Sequence, residues 1–488
     1  MIKFGTGGFR AVIGDEFTRR NIQILAKALS MKMMDEACQD QGICIGYDRR
    51  FLSKEAVMWA CEVFGAMGIR CWFVNRSSPT PLIMYYVMAN DLPYGLMVTA
   101  SHNPAIYNGV KLFTRGGRDA SQEVTQDLER YIQQVELELK MGGEVSWRPY
   151  EQVRDAGLVV EFNPWNDYID SILSQIDTRA IRSAGLRVAL DPMYGVSQTS
   201  LKTILSVARC EVETIHERHD TLFGGKLPAP NAATLRTLQN YVLDRGCHIG
   251  IATDGDADRI GIIDDRGRFL HPNDILVLLY HYLLCHKGWK GPAVRNISTT
   301  HRLDKVAQSF GQVCYEVPVG FKYISSKMQE TDALIGGESS GGLTVRGHIH
   351  GKDGIYAAAL LVEMMAVTGK RLSQLEEEME ERYGRTWTEE RDYPMTDGKK
   401  EEIHRLLFQD RLIPQLPFRI QKVSYLDGCK IYLEDGGWVI ARFSGTEPLL
   451  RIFCEAKDQE RARQLCEIFE AFMEGDGACQ LDKKPDGM

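Results

Sequence analysis

The sequence predicts an α/β protein of three related mixed-sheet domains followed by a smaller C-terminal α+β domain. Two observations carry this. A short apolar run, a loop rich in Gly, Asp or Ser, and a helix-like stretch recur in that order as far as the run that begins at Tyr356. Such alternation is the signature of α/β units. The last hundred or so residues instead read as consecutive strands and one helix. The length of 488 residues agrees, since a domain typically takes about 100–200 residues.

Ile43–Ile45 leads into "GYDRR", and "SKEAVMWACEVFGAMG" after it has the spacing of an amphipathic helix. Ile69–Val74 reads as a second strand. Thr80-Pro81 reads as a helix start, with a hydroxyl N-cap and proline in the first turn. Leu96–Ala100 is a third strand and stops at "SHNP". Leu186–Leu190 leads into "DPMYGV", Ile249–Ala252 into "TDGDADR", and Leu334–Ile335 into "GGESSGG", with a helix from about Tyr356. In α/β sheets, ligand loops follow the carboxyl ends of strands, as each of these loops does. Near the end, "FRIQKVSYLDGCKIYLEDGGWVIARFSG" reads as antiparallel strands joined by Asp-Gly turns, and "QERARQLCEIFEAFMEG" as a helix. The charged, turn-rich segment from Leu375 is the expected boundary, and the polar tail after Gly475 reads as disordered.

Composition excludes several classes. The formal charge is −8 and no long basic stripe is present, so a nucleic-acid binder is not expected. The 12 cysteines are dispersed, with no C-x-x-C pair, which suits a reducing compartment. The opening "MIKFGTGGFRAVIG" has no basic-then-apolar leader. "YAAALLVEMMAV" is too short to span a bilayer and contains Glu363. The expectation is a cytoplasmic protein without a membrane partner.

Four loops carry candidate chemistry. "DGDADR" sets Asp254, Asp256 and Asp258 at alternate positions. Three carboxylates on one loop repel unless a cation joins them, and oxygen-only ligands suit Mg²⁺, Mn²⁺ or Ca²⁺. An EF-hand needs Gly and Glu where this chain has Arg259 and Asp265; a solvated acidic turn is the other reading. "RFSGTEPLLR" offers Ser444, Gly445 and Thr446 between Arg442 and Arg451, either a phosphate cradle or an ordinary hairpin turn. Glu338 and Ser340 in "GGESSGG" can bind vicinal hydroxyls or lie in a flexible loop. Ser101 lies outside any G-x-S-x-G elbow, and His102 beside it is poorly placed as a triad base. Taken alone, "SHNP" reads as a side-chain turn before proline.

As a set, "FGTGGFR", "TASHNP", "YNGVK", "FGGKLPAPN", "DGDADR", "VPVGFK", "GGESSGG" with "KDG", and "RFSGTEP" resemble the signature loops of the α-D-phosphohexomutase superfamily, the phosphoglucomutases and phosphomannomutases. The resemblance spans Phe4 to Arg451. It implies four domains around a central cleft, here divided as 1–150, 151–259, 260–374 and 375–488. Ser101 resembles the serine that carries a phosphoryl group. Asp254, Asp256 and Asp258, with a phosphoserine oxygen, resemble the Mg²⁺ site. The implied reaction interconverts hexose 1- and 6-phosphates through glucose 1,6-bisphosphate or its analogue. "RFSGTEP" would hold the unreactive phosphate, and "GGESSGG" the sugar hydroxyls. Lys111 and Arg10, with His102 beside Ser101, are the implied groups around proton transfer, Lys111 acting as a base only with a lowered pKa and Arg10 better suited to stabilising charge; Arg259, Lys322 and Lys352 are the implied substrate contacts. The partners are small sugar phosphates, and the chain is expected to be a monomer or homodimer.

Two departures stand out. Gly342 occupies a place where many relatives have histidine, leaving His348 or His350 to supply an imidazole, and Phe443 replaces a frequent proline. Glucose is the favoured sugar, with mannose and a pentose as alternatives. A silent sugar-phosphate sensor and a phosphate-releasing hydrolase are the rival classes.

Overall fold

The computed structural model describes residues 2–4, 8–444, 449–475 and 478–480, the last three by backbone alone. The first sheet has strands β1 (Phe9–Val12), β2 (Ile43–Tyr47), β3 (Cys71–Val74), β4 (Tyr94–Val98), β5 (Tyr107–Thr114), β6 (Arg118–Asp119) and β7 (Val159–Phe162). Their order is β1-β5-β4-β2-β3-β7, with β6 beside β5. β2 and β4 are buried on both faces, which is why their sequences are unbroken apolar runs.

The second sheet, β12-β11-β10-β8-β9, is built from β8 (Arg187–Asp191), β9 (Glu211–Thr214), β10 (Ile249–Thr253), β11 (Ile260–Ile263) and β12 (Phe269–Leu270). The third, β14-β13-β15-β16, uses β13 (Ala293–Asn296), β14 (Cys314–Val317), β15 (Ile335–Gly337) and β16 (Leu343–Val345). The fourth is antiparallel, β17-β22-β21-β20-β19, from β17 (Trp387–Pro394), β19 (Ile420–Ser424), β20 (Cys429–Leu433), β21 (Trp438–Phe443) and β22 (Leu449–Ala456). The helix Gln459–Glu474 covers it. β18 (Leu412–Pro414) pairs with β23 (Ala478–Gln480). The remainder of the tail after residue 475 lies outside the described residues.

Three sheets share one local plan. A parallel strand is followed by a loop and then by an antiparallel neighbour: β4 to β5, β10 to β11, and β15 to β16. "ASHNP", "DGDADR" and "ESSGG" are those three loops.

This plan places the first and second expected domain boundaries differently. β11 and β12 return to the second sheet, past the expected division at 259, because the antiparallel strand after the loop pairs back. β7 likewise joins the first sheet beyond residue 150. The segment from Leu375 opens as helix, Leu372–Tyr383, because Leu372, Leu375, Met379 and Tyr383 bury one face, and continues as β17 from Trp387. Thr80 does not act as the N-cap of the helix Thr80–Ala89; Pro79 holds that place with no side-chain cap bond.

One continuous apolar cluster joins the helix Thr80–Ala89 to the second and third domains, and the helix Gly354–Thr368 lies within it. The fourth domain has its own core. The cysteines among the described residues are free thiols. No helix among the described residues is long and apolar enough to cross a membrane.

Candidate active site

The loop after β4 is held in place by one arginine. Arg50 donates to the carbonyl oxygens of Ser101 at 2.6 Å, Asn103 at 2.7 Å, Pro104 at 2.9 Å and Tyr107 at 3.0 Å. Asp48 anchors the same region: Oδ2 accepts from Thr99 Oγ1 at 2.6 Å and lies 3.3 Å from Arg50 Nε. The Ser101 N–H donates to Thr99 Oγ1 at 2.8 Å. These bonds hold Ser101 at φ +53°, an uncommon conformation for a side-chain-bearing residue that persists only where surroundings enforce it.

Ser101 Oγ donates to Asp254 Oδ2 at 2.8 Å. The two loops touch along their backbones as well: a Cβ at Gly255 would stand 2.7 Å from the Ser101 carbonyl oxygen. Asp254, Asp256 and Asp258 are all buried, and one oxygen from each lies within 4.8 Å of the others. Backbone N–H groups of Asp258 and Arg259 hold Asp254 Oδ1, each at 3.1 Å. Lys111, on β5, donates to Asp256 Oδ2 and Asp258 Oδ2, both at 2.6 Å. Lys352 Nζ is 3.1 Å from Asp258 Oδ2.

The other oxygens of two acids, Asp256 Oδ1 and Asp258 Oδ1, are buried with no hydrogen-bond partner among the described residues. Orphaned buried carboxylate oxygens are costly. An oxygen-only trio with two such atoms fits a hard divalent cation.

Charge is finely divided here. Burial, with Asp256 and Asp258 nearby, pushes the Asp254 carboxyl well above its ordinary range. Burial opposes ionisation of Asp258, but Lys111, Lys352 and Arg259 overcome it and hold its pKa low. Burial likewise opposes the charge on Lys111, yet Asp256 and Asp258 win and raise its pKa. The lysine therefore stays an ammonium, contrary to what a free base would require. His102 has Nδ1 3.4 Å from Ser101 Oγ. Arg259, burial and Arg10 push its pKa well below the usual imidazole value. Arg10, on β1, donates to Asn103 Oδ1 at 2.6 Å.

The "ESSGG" loop abuts the acid loop through a bridge between Arg259 and Gly342. Glu338 Oε1 accepts from Asn296 Nδ2 and Oε2 from Ser340 Oγ, each at 3.3 Å. The Lys352 stem fills the space beside Gly342, where a Cβ would meet Cδ at 2.3 Å. His348 does not supply an imidazole: it is buried, with Nε2 2.7 Å from Asp353 Oδ2, beneath the helix that Asp353 caps. Lys322 stands further out, its Nζ 5.1 Å from the Tyr323 ring centre and in the field of Asp119. Asp119 in turn feels Lys352, Lys111, Asp258 and Glu338.

In the fourth domain, Arg442 and Arg451 face each other across β21 and β22. Arg442 Nε donates to Asp427 Oδ2 at 2.8 Å, and the same oxygen accepts from Val319 N at 2.9 Å, tying the hairpin to the third domain. Arg451 Nε is 3.4 Å from Asp392 Oδ1. The Ser444 N–H donates to Leu449 O at 2.9 Å. Gly445 and Thr446 lie outside the described residues. Burial and then Asp392 raise the Glu390 pKa, while Arg451 and Arg259 both act on it in the opposite sense.

Two contributors that the sequence reading did not single out are Arg50 and Asn296. Arg50 sits in "GYDRR", a loop after a strand, and the rule that found the other loops points to it as well.

Four family models match the chain in order. They are the phosphoglucomutase/phosphomannomutase alpha/beta/alpha domains I over 1–138, II over 166–267 and III over 271–383, and the C-terminal domain over 407–471. The probable phosphoglucosamine mutase of Methanosarcina barkeri is 32% identical, covering 94% of this chain and 96% of its own. The phosphoglucomutase/phosphomannomutase of Thermococcus kodakarensis is 28% identical, covering 95% of this chain and 97% of its own. A crystal structure from Thermus thermophilus, assigned as a phosphomannomutase, is 29% identical with a TM-score of 0.82, covering 97% of this chain and 99% of its own. A chain matched domain by domain, and so similar to such a relative along nearly all its length, belongs to the phosphoglucomutase/phosphomannomutase family of the α-D-phosphohexomutase superfamily, whose members are isomerases.

Proposed function

We propose that the protein interconverts the 1- and 6-phosphates of a gluco-configured hexose through a phosphoserine at Ser101 and a hexose bisphosphate. The observation that supports this most is Ser101 Oγ, 2.8 Å from Asp254 Oδ2 at the edge of a buried acid trio. Asp254, Asp256 and Asp258 would hold Mg²⁺ together with an oxygen of the phosphoserine. When bound, the cation neutralises charge on the transferring group.

In the first half-step a sugar hydroxyl oxygen forms a new bond to phosphorus as the bond from phosphorus to Ser101 Oγ breaks. The hydroxyl gives up its proton and Ser101 Oγ takes one, so none is gained or lost overall. The bisphosphate then turns end for end, and its other phosphate returns to Ser101 by the reverse exchange. Arg10, His102 and Lys111 surround this exchange and stabilise charge or relay the proton. Glu338 and Ser340 would bind ring hydroxyls, with Arg259, Lys322 and Lys352 as further substrate contacts. Arg442, Ser444, Gly445, Thr446 and Arg451 would hold the distal phosphate.

The test is conversion of glucose 1-phosphate with Mg²⁺ and a trace of glucose 1,6-bisphosphate. Ser101→Ala is expected to lose about 10⁴-fold or more in rate. Incubation with the bisphosphate should add one phosphoryl group to the native chain, seen by intact mass, and none to the variant. Full activity of Ser101→Ala overturns the phosphoserine. Ligand binding with neither phosphoryl exchange nor turnover favours a sensor, and steady release of inorganic phosphate a hydrolase.

Glucose is the first reading of the sugar. The name of the Methanosarcina relative favours a second, glucosamine. Comparing kcat/KM for glucose, glucosamine, mannose and ribose 1-phosphates decides between them.

A further inference from the structure

Thr80 begins a ten-residue helix and is almost wholly buried. Its hydroxyl is not spent on the helix. It donates to Asp256 Oδ2 at 2.5 Å, across 176 residues of sequence. Its backbone N–H donates to the Asp256 carbonyl oxygen at 2.9 Å. Both polar handles of one residue in the first domain therefore end on one acid of the second.

The consequence lies in how Asp256 is oriented. Oδ2 takes two donors, Thr80 Oγ1 and Lys111 Nζ. Oδ1, equally buried, has none among the described residues. A carboxylate gripped at one oxygen by two elements cannot rotate freely, and the remaining oxygen is left as a ligand atom. We infer that Thr80 is a positioning residue for the cation site: its hydroxyl fixes the Asp256 carboxylate so that Oδ1 faces the ion. This rests on the reading of the acid trio as a cation site. Thr80 itself touches neither ion nor substrate. Outer partners of this kind typically change metal affinity by about 10–100-fold.

The experiment is direct binding of Mn²⁺ to the full, unphosphorylated chain, read from the electron paramagnetic resonance signal of the free ion. Thr80→Val keeps the shape and removes the hydroxyl, and is expected to bind Mn²⁺ about 10–100-fold more weakly than the native chain. Thr80→Ser keeps the hydroxyl and is expected to restore binding to within about threefold. In the mutase assay, Thr80→Val should need correspondingly more Mg²⁺ for half-activation, while kcat at saturating Mg²⁺ recovers. Native-like Mn²⁺ affinity in a folded Thr80→Val overturns the inference and leaves the cation site standing. No Mn²⁺ binding by the native chain overturns the cation reading and this inference with it. Should Thr80→Val not melt cooperatively, Thr80→Ala, which puts no methyl against the carboxylate, gives the same comparison.

Discussion

Lys111 shows how a single side chain sets the state of the site. Its ammonium is the shared donor to Asp256 and Asp258. Lys111→Met leaves three buried acids with fewer cations around them. Breaking a buried charge pair typically costs about 3–5 kcal/mol, so the variant should melt well below the native chain in EDTA. Added Mg²⁺ should recover much of that loss, because it replaces the missing positive charge. An equal loss with and without Mg²⁺ counts against the acids as a cation site. At this scale the three aspartates were legible as a cation-site candidate from their alternate spacing, whereas Ser101 stood out only through the family resemblance, since its acid partner lies 153 residues away. The sequence reading misassigned Thr80, since a hydroxyl before proline at a helix start is also the mark of a cap, and its real partner lies far off in the chain. His348 misled for a similar reason: a histidine near a ligand loop and a histidine under a helix look alike until the Asp353 bond is seen.

Helices and strands explain why the loops converge. Each of three sheets turns from a parallel strand into an antiparallel neighbour, and each such turn delivers one loop of the candidate site. The apolar runs revealed the strands before the loops, but the short strands after them were invisible to periodicity, so the second domain was cut before β11. The helix Leu372–Tyr383 was obscured by its many charges, although its apolar residues fall at helical spacing. Glu376 on that helix gives a pH test. Burial, and then Asp274, raise its pKa from 4.5 to about 7; Glu380 and Asp264 act in the same sense, and Arg268 opposes them. Between those values the folded state holds a proton that the unfolded state has released, so stability falls as pH rises through that window. Glu376→Gln should therefore melt increasingly above the native chain from pH 5 to about pH 8, with an upper bound of about 3 kcal/mol. A constant difference across that range argues against this account.

For the whole molecule, the division is three domains sharing apolar packing and a fourth with its own core, joined to the third through a small cluster of Ile297, Trp438 and Ile440 and through buried charge. Lys430, on β20, is buried between the rings of Tyr432 and Trp438. It donates to Ile297 O at 2.5 Å and lies 2.9 Å from Glu316 Oε2. Arg295 and Tyr432 also bond to Glu316. Burial, with Arg295 adding to it, lowers the Lys430 pKa to about 7. Glu316→Gln removes the one anion that both cations share there, and should lower the melting point by an amount corresponding to about 3–5 kcal/mol. Lys430→Met, which leaves Glu316 paired with Arg295, should be close to neutral. Calorimetry, with limited proteolysis at the Gly384–Thr386 connection as a second probe, reads both, and the reverse ranking would contradict this picture of the junction.

The span between the Ser101 hydroxyl and its acceptor carboxylate, 153 residues along the chain, also bears on synthesis. A growing polypeptide exposes the Ser101 hydroxyl long before its acid partners have left the ribosome. Until residue 258 emerges, an unfinished copy carries an ordinary alcohol there, and the proposed phosphoryl chemistry waits on translation having passed the second sheet.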